Sequence, residues 1–257
     1  MRVLRTVIFY ILLGTSGIIW SCVSLLVAPL LSYRARYRFI VKAWTGFAVW
    51  LAKVVCGIRY EISGLENIPK TPCIIIANHQ STWETFFLSA LFEPTSQVIK
   101  RELLKVPFFG WAFALLKPIA IDRNNGKVAL QQITEQGGRY IKQGCWVLIF
   151  PQGTRVSPGE TGKFSRGGAA LACALNVPVL PIAHNAGEYW PNKSWVKRPG
   201  TIKVVIGPAL SPNGSDPRAI VDLNTRSQSF IDQALASISP VHNSVLTDPP
   251  VRPATNS

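Results

Sequence analysis

A histidine followed five positions later by a glutamate is the pair whose residue types best suit proton transfer. His79 and Glu84 stand in the segment IIIANHQSTWETFF, residues 74–87, directly after an apolar run. A histidine can take up a proton near neutral pH, and a carboxylate that accepts from one ring nitrogen leaves the other free as a base. The sequence has no G-x-S-x-G motif and no cysteine in an activating setting, so this base would act on a hydroxyl that a substrate brings.

The glutamate also has a purely structural explanation. The residues STWE form a capping box, in which Ser81 is the N-cap of a helix and Glu84 reaches back to it. This explains Glu84 but not His79, which precedes the cap at the carboxyl end of a predicted strand, where α/β proteins commonly bind ligands. Residue chemistry alone leaves catalysis and a satisfied structural histidine equally open.

Cationic side chains follow three further predicted strands. Lys100 and Arg101 come directly after one strand, Arg123 ends the run IAIDR, and the loop FPQGTR carries Gly153 and Arg155. A glycine-containing turn lets backbone N–H groups approach an anion. Each cation alone is more often solvated, but together with His79 they predict a pocket for a phosphate beside a reactive hydroxyl.

The elements that must position these residues form an alternating pattern after Gly57. Short β-rich runs alternate with helical ones, which predicts an α/β fold with a mixed, largely parallel sheet flanked by helices. The predicted strands are 58–63, 73–77, 96–100, 118–122, 146–150, 178–183 and 201–206, and the predicted helices are 82–92, 126–142, 166–175 and 217–237.

An uncharged stretch of 28 residues, from Thr6 to Tyr33, precedes this domain. It exceeds the roughly 20 residues that span a bilayer core, which predicts a membrane-embedded helix. It is also longer than the apolar core of a signal peptide, the rival interpretation, and it lacks a clear cleavage site. Arg34, Arg36, Arg38 and Lys42 follow it against two arginines before it, so the positive-inside rule puts the catalytic domain on the cytosolic face, at the inner membrane if the protein is bacterial.

Residues 39–57 form a second apolar segment, interrupted by Lys42 and Lys53 and carrying Trp44 and Trp50. An interfacial helix fits this pattern, and a core helix of the following domain is the alternative.

The net charge and the cysteines limit the classes of partner and the cellular setting that the sequence predicts. The net charge is +14, and residues 1–60 carry eight Lys/Arg and no Asp or Glu. Because this basic charge is interleaved with apolar runs, it indicates anionic lipid rather than nucleic acid. The five cysteines include no C-x-x-C pair and indicate a reduced, cytosolic setting, while the three histidines lack ligand spacing, so no metal site is predicted.

With these motifs in order, the sequence resembles the glycerophospholipid acyltransferase family, and within it the bacterial 1-acylglycerol-3-phosphate acyltransferases. The block N-H-x-S-x-x-D is matched by Asn78, His79, Ser81 and Glu84. The second block is matched by KRELLKVPFFGW and IAIDR, the third, F-P-E-G-T-R, by FPQGTR, and the fourth by VPVLPIA at 177–183. The resemblance covers roughly residues 60–210.

The resemblance implies an O-acyltransferase that moves a fatty acyl group from acyl-CoA or acyl carrier protein to the sn-2 hydroxyl of lysophosphatidic acid, giving phosphatidic acid. It implies that His79 is the base and Glu84 its orienting partner, with no covalent acyl-enzyme and no cofactor. Its membrane setting implies lipids as partners. The implied substrate-binding residues are Lys100, Arg101, Arg123, Gln152, Gly153, Thr154 and Arg155, of which Lys100, Arg123 and Arg155 would hold the phosphate.

Two departures from the family pattern bear on these expectations. Glu84 replaces the usual Asp, which keeps the charge, and Gln152 replaces the usual Glu, which removes a charge near the expected phosphate site. The second departure keeps another lysolipid acceptor open, such as a lyso-ornithine lipid. A non-catalytic membrane-anchored protein that binds anionic lipid is the remaining alternative.

The predicted organisation has three parts. Residues 1–57 form a membrane helix plus an interfacial helix, residues 58–238 form the α/β acyltransferase domain, and the Pro-rich, polar residues 239–257 form a disordered tail.

Overall fold

A seven-stranded sheet organises the part of the chain that the computed structural model describes, residues 1–121, 126–160 and 162–242; the side chains of Lys100 and of residues 126–130 are outside the description. The strands are β1 (Ile58–Ser63), β2 (Ile74–Ala77), β3 (Thr95–Lys100), β4 (Ile119–Ile121), β5 (Trp146–Ile149), β6 (Val179–His184) and β7 (Gly200–Ile206). They lie in the order β1-β7-β6-β2-β5-β3-β4. Each strand pair is parallel except β6 with β7, which confirms the predicted mixed, largely parallel sheet.

The three central strands are apolar runs because helices cover both faces of the sheet. All residues of β2, β5 and β6 are buried. Successive side chains of β2 alternate between two cores, so that Ile75 packs in one cluster and Ile74 and Ile76 pack in the other. This sandwiching holds the ends of β2, β5 and β6 in fixed positions.

Helices cover both faces of the sheet, and each face is covered by helices from different parts of the chain. They are α1 (Arg2–Val27), α2 (Tyr33–Tyr37), α3 (Trp44–Cys56), α4 (Trp83–Leu91), α5 (Phe109–Ala114), α6 (Gly126–Lys142), α7 (Gly167–Leu175) and α8 (Pro217–Ile238). Helices α3 and α4 contribute to the core that contains Ile75, and α6, α7 and α8 contribute to the core that contains Ile74. The four helices predicted after Gly57 are confirmed within a residue at each end.

Two amino-terminal segments are long and apolar enough to cross a membrane. Within Arg2–Leu30 an 18-residue window has mean hydropathy 2.0 with 17% of its residues buried, and within Tyr33–Cys56 such a window has mean hydropathy 1.6 with 44% buried. The second segment is helical throughout, because a π-helical stretch over Arg38–Ala43 joins α2 to α3. One face of α3 packs against α4 and β1, while Phe47, Trp50 and Val54 are exposed. The packed face agrees with the core interpretation, and the interfacial interpretation stays a prediction that concerns the exposed face.

A buried lysine fixes the start of α1 to the α/β domain. The Lys197 Nζ donates to the hydroxyl of Tyr10 (2.7 Å) and lies 5.1 Å from the centre of the Trp190 ring. The backbone N–H of Lys197 donates to Thr6 Oγ1 (3.0 Å). Burial lowers the pKa of Lys197 to about 8. Helix α1 is thus a wall of the domain as well as an apolar helix.

Two features differ from the sequence prediction. Helix α5, in the segment KRELLKVPFFGW, was not predicted, because six residues are too few for a helical period to be read. The disordered tail predicted from residue 239 begins too early: Ser239 and His242 are buried, and the Ser239 hydroxyl donates to Glu188. The remainder of that predicted tail, 243–257, lies outside the described residues.

Candidate active site

The carboxyl ends of four neighbouring parallel strands share one edge of the sheet. His79 follows β2, the loop FPQGTR follows β5, and Lys100 ends β3. Strand β4 pairs in parallel with β3 and ends at Ile121, and Arg123, predicted beyond it, lies outside the described residues. The sheet topology therefore brings the first, second and third sequence blocks to a common edge, as ligand sites of α/β proteins require.

The His79–Glu84 pair is formed. His79 Nδ1 lies 2.9 Å from Glu84 Oε1, which also accepts the backbone N–H groups of Gln80 (2.9 Å) and Ser81 (2.7 Å). Glu84 reaches back to the Ser81 N–H as predicted and the Ser81 hydroxyl accepts the N–H of Trp83 (3.1 Å), but α4 begins one residue later than the predicted capping box implies, with Thr82 as its N-cap. One carboxylate oxygen thus binds the backbone at the start of α4 and also the imidazole, and the catalytic role of the pair stays a prediction.

The protonation of this pair follows from its surroundings. The Glu84 side chain is fully buried, and 15% of the His79 side chain is exposed. Burial by itself raises the pKa of Glu84, but the hydrogen bonds that the carboxylate accepts from His79 and from the backbone N–H of Ser81 outweigh it and hold the pKa below its ordinary value. An ionised carboxylate only accepts hydrogen bonds, so His79 carries its proton on Nδ1 and leaves the Nε2 lone pair free for a base.

The loop after β5 makes three contacts with His79, one with its ring and two with its backbone. The Phe150 ring stacks on the imidazole at a centroid distance of 4.1 Å and an interplanar angle of 16°. Gln152 Oε1 accepts the backbone N–H of His79 (3.2 Å), and the backbone N–H of Val156 donates to the His79 carbonyl (2.9 Å). The pairing of Ile76 with Ile149 explains this, since it places residue 79 level with residue 152.

Gln152 therefore has a definite contact that sequence reasoning did not assign. Its oxygen binds the backbone N–H of His79, and the substrate-binding role expected for it stays a prediction. A glutamate at this position would offer the same kind of acceptor, so replacing Glu by Gln removes a charge but keeps the bond. The contact between Gln152 and His79 follows from the register between β2 and β5. The order of the motifs along the chain does not reveal that register.

The other residues of the loop differ in exposure. Gly153 has a φ of 69°, in the left-handed region, and its N–H donates to the Phe150 carbonyl (3.0 Å), so the glycine makes the turn. Thr154 is exposed and Arg155 is partly buried. The Nη1 of Arg155 donates to Asn192 Oδ1 (3.3 Å).

An apolar cavity of about 470 Å³ lies between α1, the first turns of α4 and the segment that carries α5. Thr82, Thr85 and Phe86 of α4 line it, and Arg155 is the only charged residue among the described residues of its wall. Helix α1 contributes Tyr10, Leu13, Gly14, Gly17, Ser21 and Ser24. The site thus has a charged end beside the FPQGTR loop and an apolar interior.

Helix α1 is the wall that sequence reasoning missed. It was read only as a membrane segment, yet its small residues recur at helical spacing along the cavity. Gly14, Gly17, Ser21 and Ser24 are three or four positions apart and share one face. This row of small residues was the feature of the sequence that could have identified α1 as a wall of the cavity.

Of the four predicted cations, the structure brings Arg155 to the cavity. Arg101 is exposed at the start of a 3₁₀ turn after β3. Lys100 is placed by its backbone only, at the end of β3 beside Ile121. The substrate-binding roles predicted for all four cations, and for Gly153 and Thr154, stay predictions.

Comparison with known proteins agrees with this geometry. The family model described as "Acyltransferase" matches residues 59–185. A 1-acyl-sn-glycerol-3-phosphate acyltransferase of Pseudomonas aeruginosa is 60% identical over 244 residues, 95% of each chain. A chloroplastic 1-acyl-sn-glycerol-3-phosphate acyltransferase of Brassica napus is 28% identical, covering 79% of this chain and 60% of that protein.

A solved structure shares the fold. The 1-acyl-sn-glycerophosphate (LPA) acyltransferase PlsC from Thermotoga maritima superposes with a TM-score of 0.77 at 22% identity, covering 93% of this chain and 98% of that one. The matched family region holds His79, Glu84 and the FPQGTR loop. The chain belongs to the acyltransferase family that includes the 1-acyl-sn-glycerol-3-phosphate acyltransferases.

Proposed function

We propose that this protein transfers a fatty acyl group from acyl-CoA or acyl carrier protein to the sn-2 hydroxyl of lysophosphatidic acid, giving phosphatidic acid. The observation that carries the proposal is the His79–Glu84 pair, whose histidine lies three residues before Thr82, which lines an apolar cavity whose wall also includes Arg155. The names of the Pseudomonas and Brassica relatives support the acceptor.

The proposed reaction is a direct transfer. His79 Nε2 takes the proton of the lysolipid hydroxyl while the oxygen attacks the thioester carbonyl. Glu84 stabilises the imidazolium that forms. When the tetrahedral intermediate collapses, the C–S bond breaks and the leaving thiolate takes the proton from His79, so the enzyme returns to its starting state. General base catalysis of this kind contributes about 10²–10⁴-fold to the rate.

The two ends of the cavity suit the two ends of a lysolipid. Arg155 offers a guanidinium to the phosphate, a charge-assisted contact of about 1.5–3 kcal/mol. The apolar wall of α1 and α5 suits an acyl chain. The loss of a charge at Gln152 no longer favours a different acceptor, because its oxygen is bonded to the His79 backbone.

The exposed apolar surface supports a membrane-bound enzyme. Helix α1 exposes Leu4, Ile11, Ile19 and Leu26, and near the cavity the segment with α5 exposes Phe108, Phe109 and Trp111. Aromatic side chains of this kind favour the membrane interface. We propose that residues 1–57 embed in the bilayer and that the α/β domain lies on its cytosolic face, where the exposed Arg34 and Arg38 meet anionic headgroups.

Acyl transfer by membranes that contain the protein tests this function. Lysophosphatidic acid and lyso-ornithine lipid are supplied in parallel, each with acyl-CoA or with acyl carrier protein. His79→Ala serves as the inactive variant. His242→Ala is its matched control, because it removes a different histidine, which is buried just after the carboxyl end of α8. Phosphatidic acid made by the parent and by His242→Ala but not by His79→Ala is the expected result. Product made at the parent rate by folded His79→Ala contradicts the mechanism, and product from lyso-ornithine lipid alone contradicts the acceptor.

A further inference from the structure

A second histidine lies beside the catalytic pair and has no part in the reaction described above. His184 ends β6, the strand that pairs with β2 on the side opposite β5, and only 1% of it is exposed. Backbone pairing between β2 and β6 ends at Ala77 and Ile182. Beyond that point the two strands are joined through the side chains of Asn78 and His184.

Three hydrogen bonds join Asn78 to His184. The His184 backbone N–H donates to Asn78 Oδ1 (3.0 Å), and Asn78 Nδ2 donates to the His184 carbonyl (2.9 Å). The third joins His184 Nε2 to the Asn78 backbone carbonyl (2.7 Å). The side chain of each residue thus binds the backbone of the other.

The contacts of the ring fix its tautomer. The backbone N–H of Ala186 donates to His184 Nδ1 (3.3 Å), so Nδ1 carries a lone pair and Nε2 carries the proton that is donated to Asn78. Burial lowers the pKa of His184, which favours this neutral form. Because both ring nitrogens are engaged with backbone groups, His184 is not placed to relay a proton.

The carbonyl that His184 holds belongs to the peptide bond on which the base is carried. The Asn78–His79 peptide has its oxygen bound by His184 Nε2–H from β6 and its N–H bound by Gln152 Oε1 from the loop after β5. One side chain at the end of β6 and one in the loop after β5 therefore bind the two polar atoms of the same peptide unit. Rotation of this peptide would turn the Cα–Cβ bond of His79 and displace Nε2.

We infer that His184 is a positioning residue for the acyl transfer, which fixes the Asn78–His79 peptide and through it the direction of the His79 imidazole. The inference rests on the proposed function, since it assigns a role relative to His79. It also gives Asn78 a role, because the asparagine amide holds the backbone of His184 in place. Gln152 is the matching support on the other side.

Two amide substitutions separate the contacts of the imidazole. In His184→Gln the terminal amide stands near the place of Nε2 and can still donate to the Asn78 carbonyl. In His184→Asn the amide is one carbon shorter, so it can accept from Ala186 but not reach that carbonyl. Both variants are neutral and polar, and they differ in the one bond that the inference requires.

The measurement is kcat and KM for each substrate, per folded enzyme, with the unfolding temperature recorded for each variant. We expect His184→Gln to keep most of the parent kcat and His184→Asn to lose about 10- to 100-fold in kcat with KM values unchanged, because a misplaced reacting group costs rates on this scale. His242→Asn, at another histidine that is 2% exposed, should lower kcat no more than His184→Gln does.

Equal kcat in the Gln and Asn variants of His184, per folded enzyme, would overturn the inference, as would a change in KM alone. If His184→Asn does not fold, Gln152→Leu tests the same peptide from its other atom and should show the same fall in kcat with unchanged KM. A parent-like kcat in Gln152→Leu would then overturn it. Failure of the proposed function is distinct, since in that case the parent itself makes no phosphatidic acid.

Discussion

Replacing Glu84 by Gln should separate the catalytic role of this residue from its role as a helix cap. The glutamine oxygen can occupy the place of Oε1 and keep accepting from Gln80, Ser81 and His79. The amide NH₂ would then stand where Oε2 is, an atom that is buried and has no hydrogen-bond partner among the described residues. The substitution thus removes the charge while the pattern of bonds at Oε1 is kept.

The two expected magnitudes differ widely. Each of the three bonds loses charge assistance of about 1 kcal/mol, and this loss is only partly offset because the variant no longer buries an ion, so the free energy of unfolding should fall by about 1 kcal/mol. In the reaction, the imidazolium of His79 loses its counter-charge, and kcat should fall about 10²–10⁴-fold.

The assay is kcat for acyl transfer beside thermal and urea unfolding of the same preparation. Glu84→Ala is the comparison, because it loses the cap as well and should lower both kcat and stability. A Glu84→Gln variant that keeps kcat within about tenfold of the parent would refute the reasoning, since a counter-charge is held to supply at least that much.

The pH dependence of stability gives the same residue a second readout. The pKa of Glu84 is lower in the folded protein than its ordinary value of 4.5. The ionised carboxylate therefore contributes stability that is fully present above pH 4.5 and is lost as the pH falls through the folded value. The parent should lose stability in acid more steeply than Glu84→Gln, and parallel curves would contradict the assigned ionisation.

Two further predictions concern the cavity. Arg155→Ala should raise KM for lysophosphatidic acid about 10- to 100-fold and leave KM for the thioester unchanged, because a charge-assisted contact to phosphate is lost; Arg226→Ala, at an arginine of α8 paired with Asp222, is the matched control, and an unchanged KM for the lysolipid would remove Arg155 from the phosphate site. Gly14→Leu should shift the preferred acyl chain towards shorter lengths in a competition among thioesters, since Gly14 lines the cavity and a Cβ there meets nothing within 4 Å, whereas Gly46→Leu, at an equally open position outside the cavity wall, should leave the preference unchanged. An unaltered preference in Gly14→Leu would place the chain elsewhere.

Local patterns were enough to predict the seven strands of this fold and four of the five α-helices that follow Gly57 among the described residues. The burial of β2, β5 and β6 on both faces makes their sequences continuous apolar runs, and such runs are read directly. Their order in the sheet is a different matter. Nothing in the sequence pattern states that β5, which follows β2 by about 70 residues, pairs beside it, and this pairing is what brings Gln152 to His79.

The contacts that single out individual site residues were harder to predict for the same reason. The spacing of His79 and Glu84 indicated a local pair, because five residues across a strand–helix turn can fold back on themselves. Asn78 and His184 are 106 positions apart and meet only because β6 flanks β2. A helix such as α1, whose apolar residues suit both lipid and cavity, carries a composition that cannot separate the two uses.

Under the proposed mechanism, catalysis and local stability are coupled at the start of α4, because one carboxylate oxygen serves both. The backbone donors of Gln80 and Ser81 fix Glu84 Oε1 relative to the helix, and the same oxygen then fixes His79 Nδ1. A fraying of the first turn of α4 would release the imidazole together with the cap. The buried Trp83, stacked on Phe87 at 4.6 Å one turn later, opposes such fraying with apolar contacts. The base is thereby held by its peptide through β5 and β6 and by its ring through a helix that the core anchors, so substitutions of Trp83 should reduce activity before they unfold the domain.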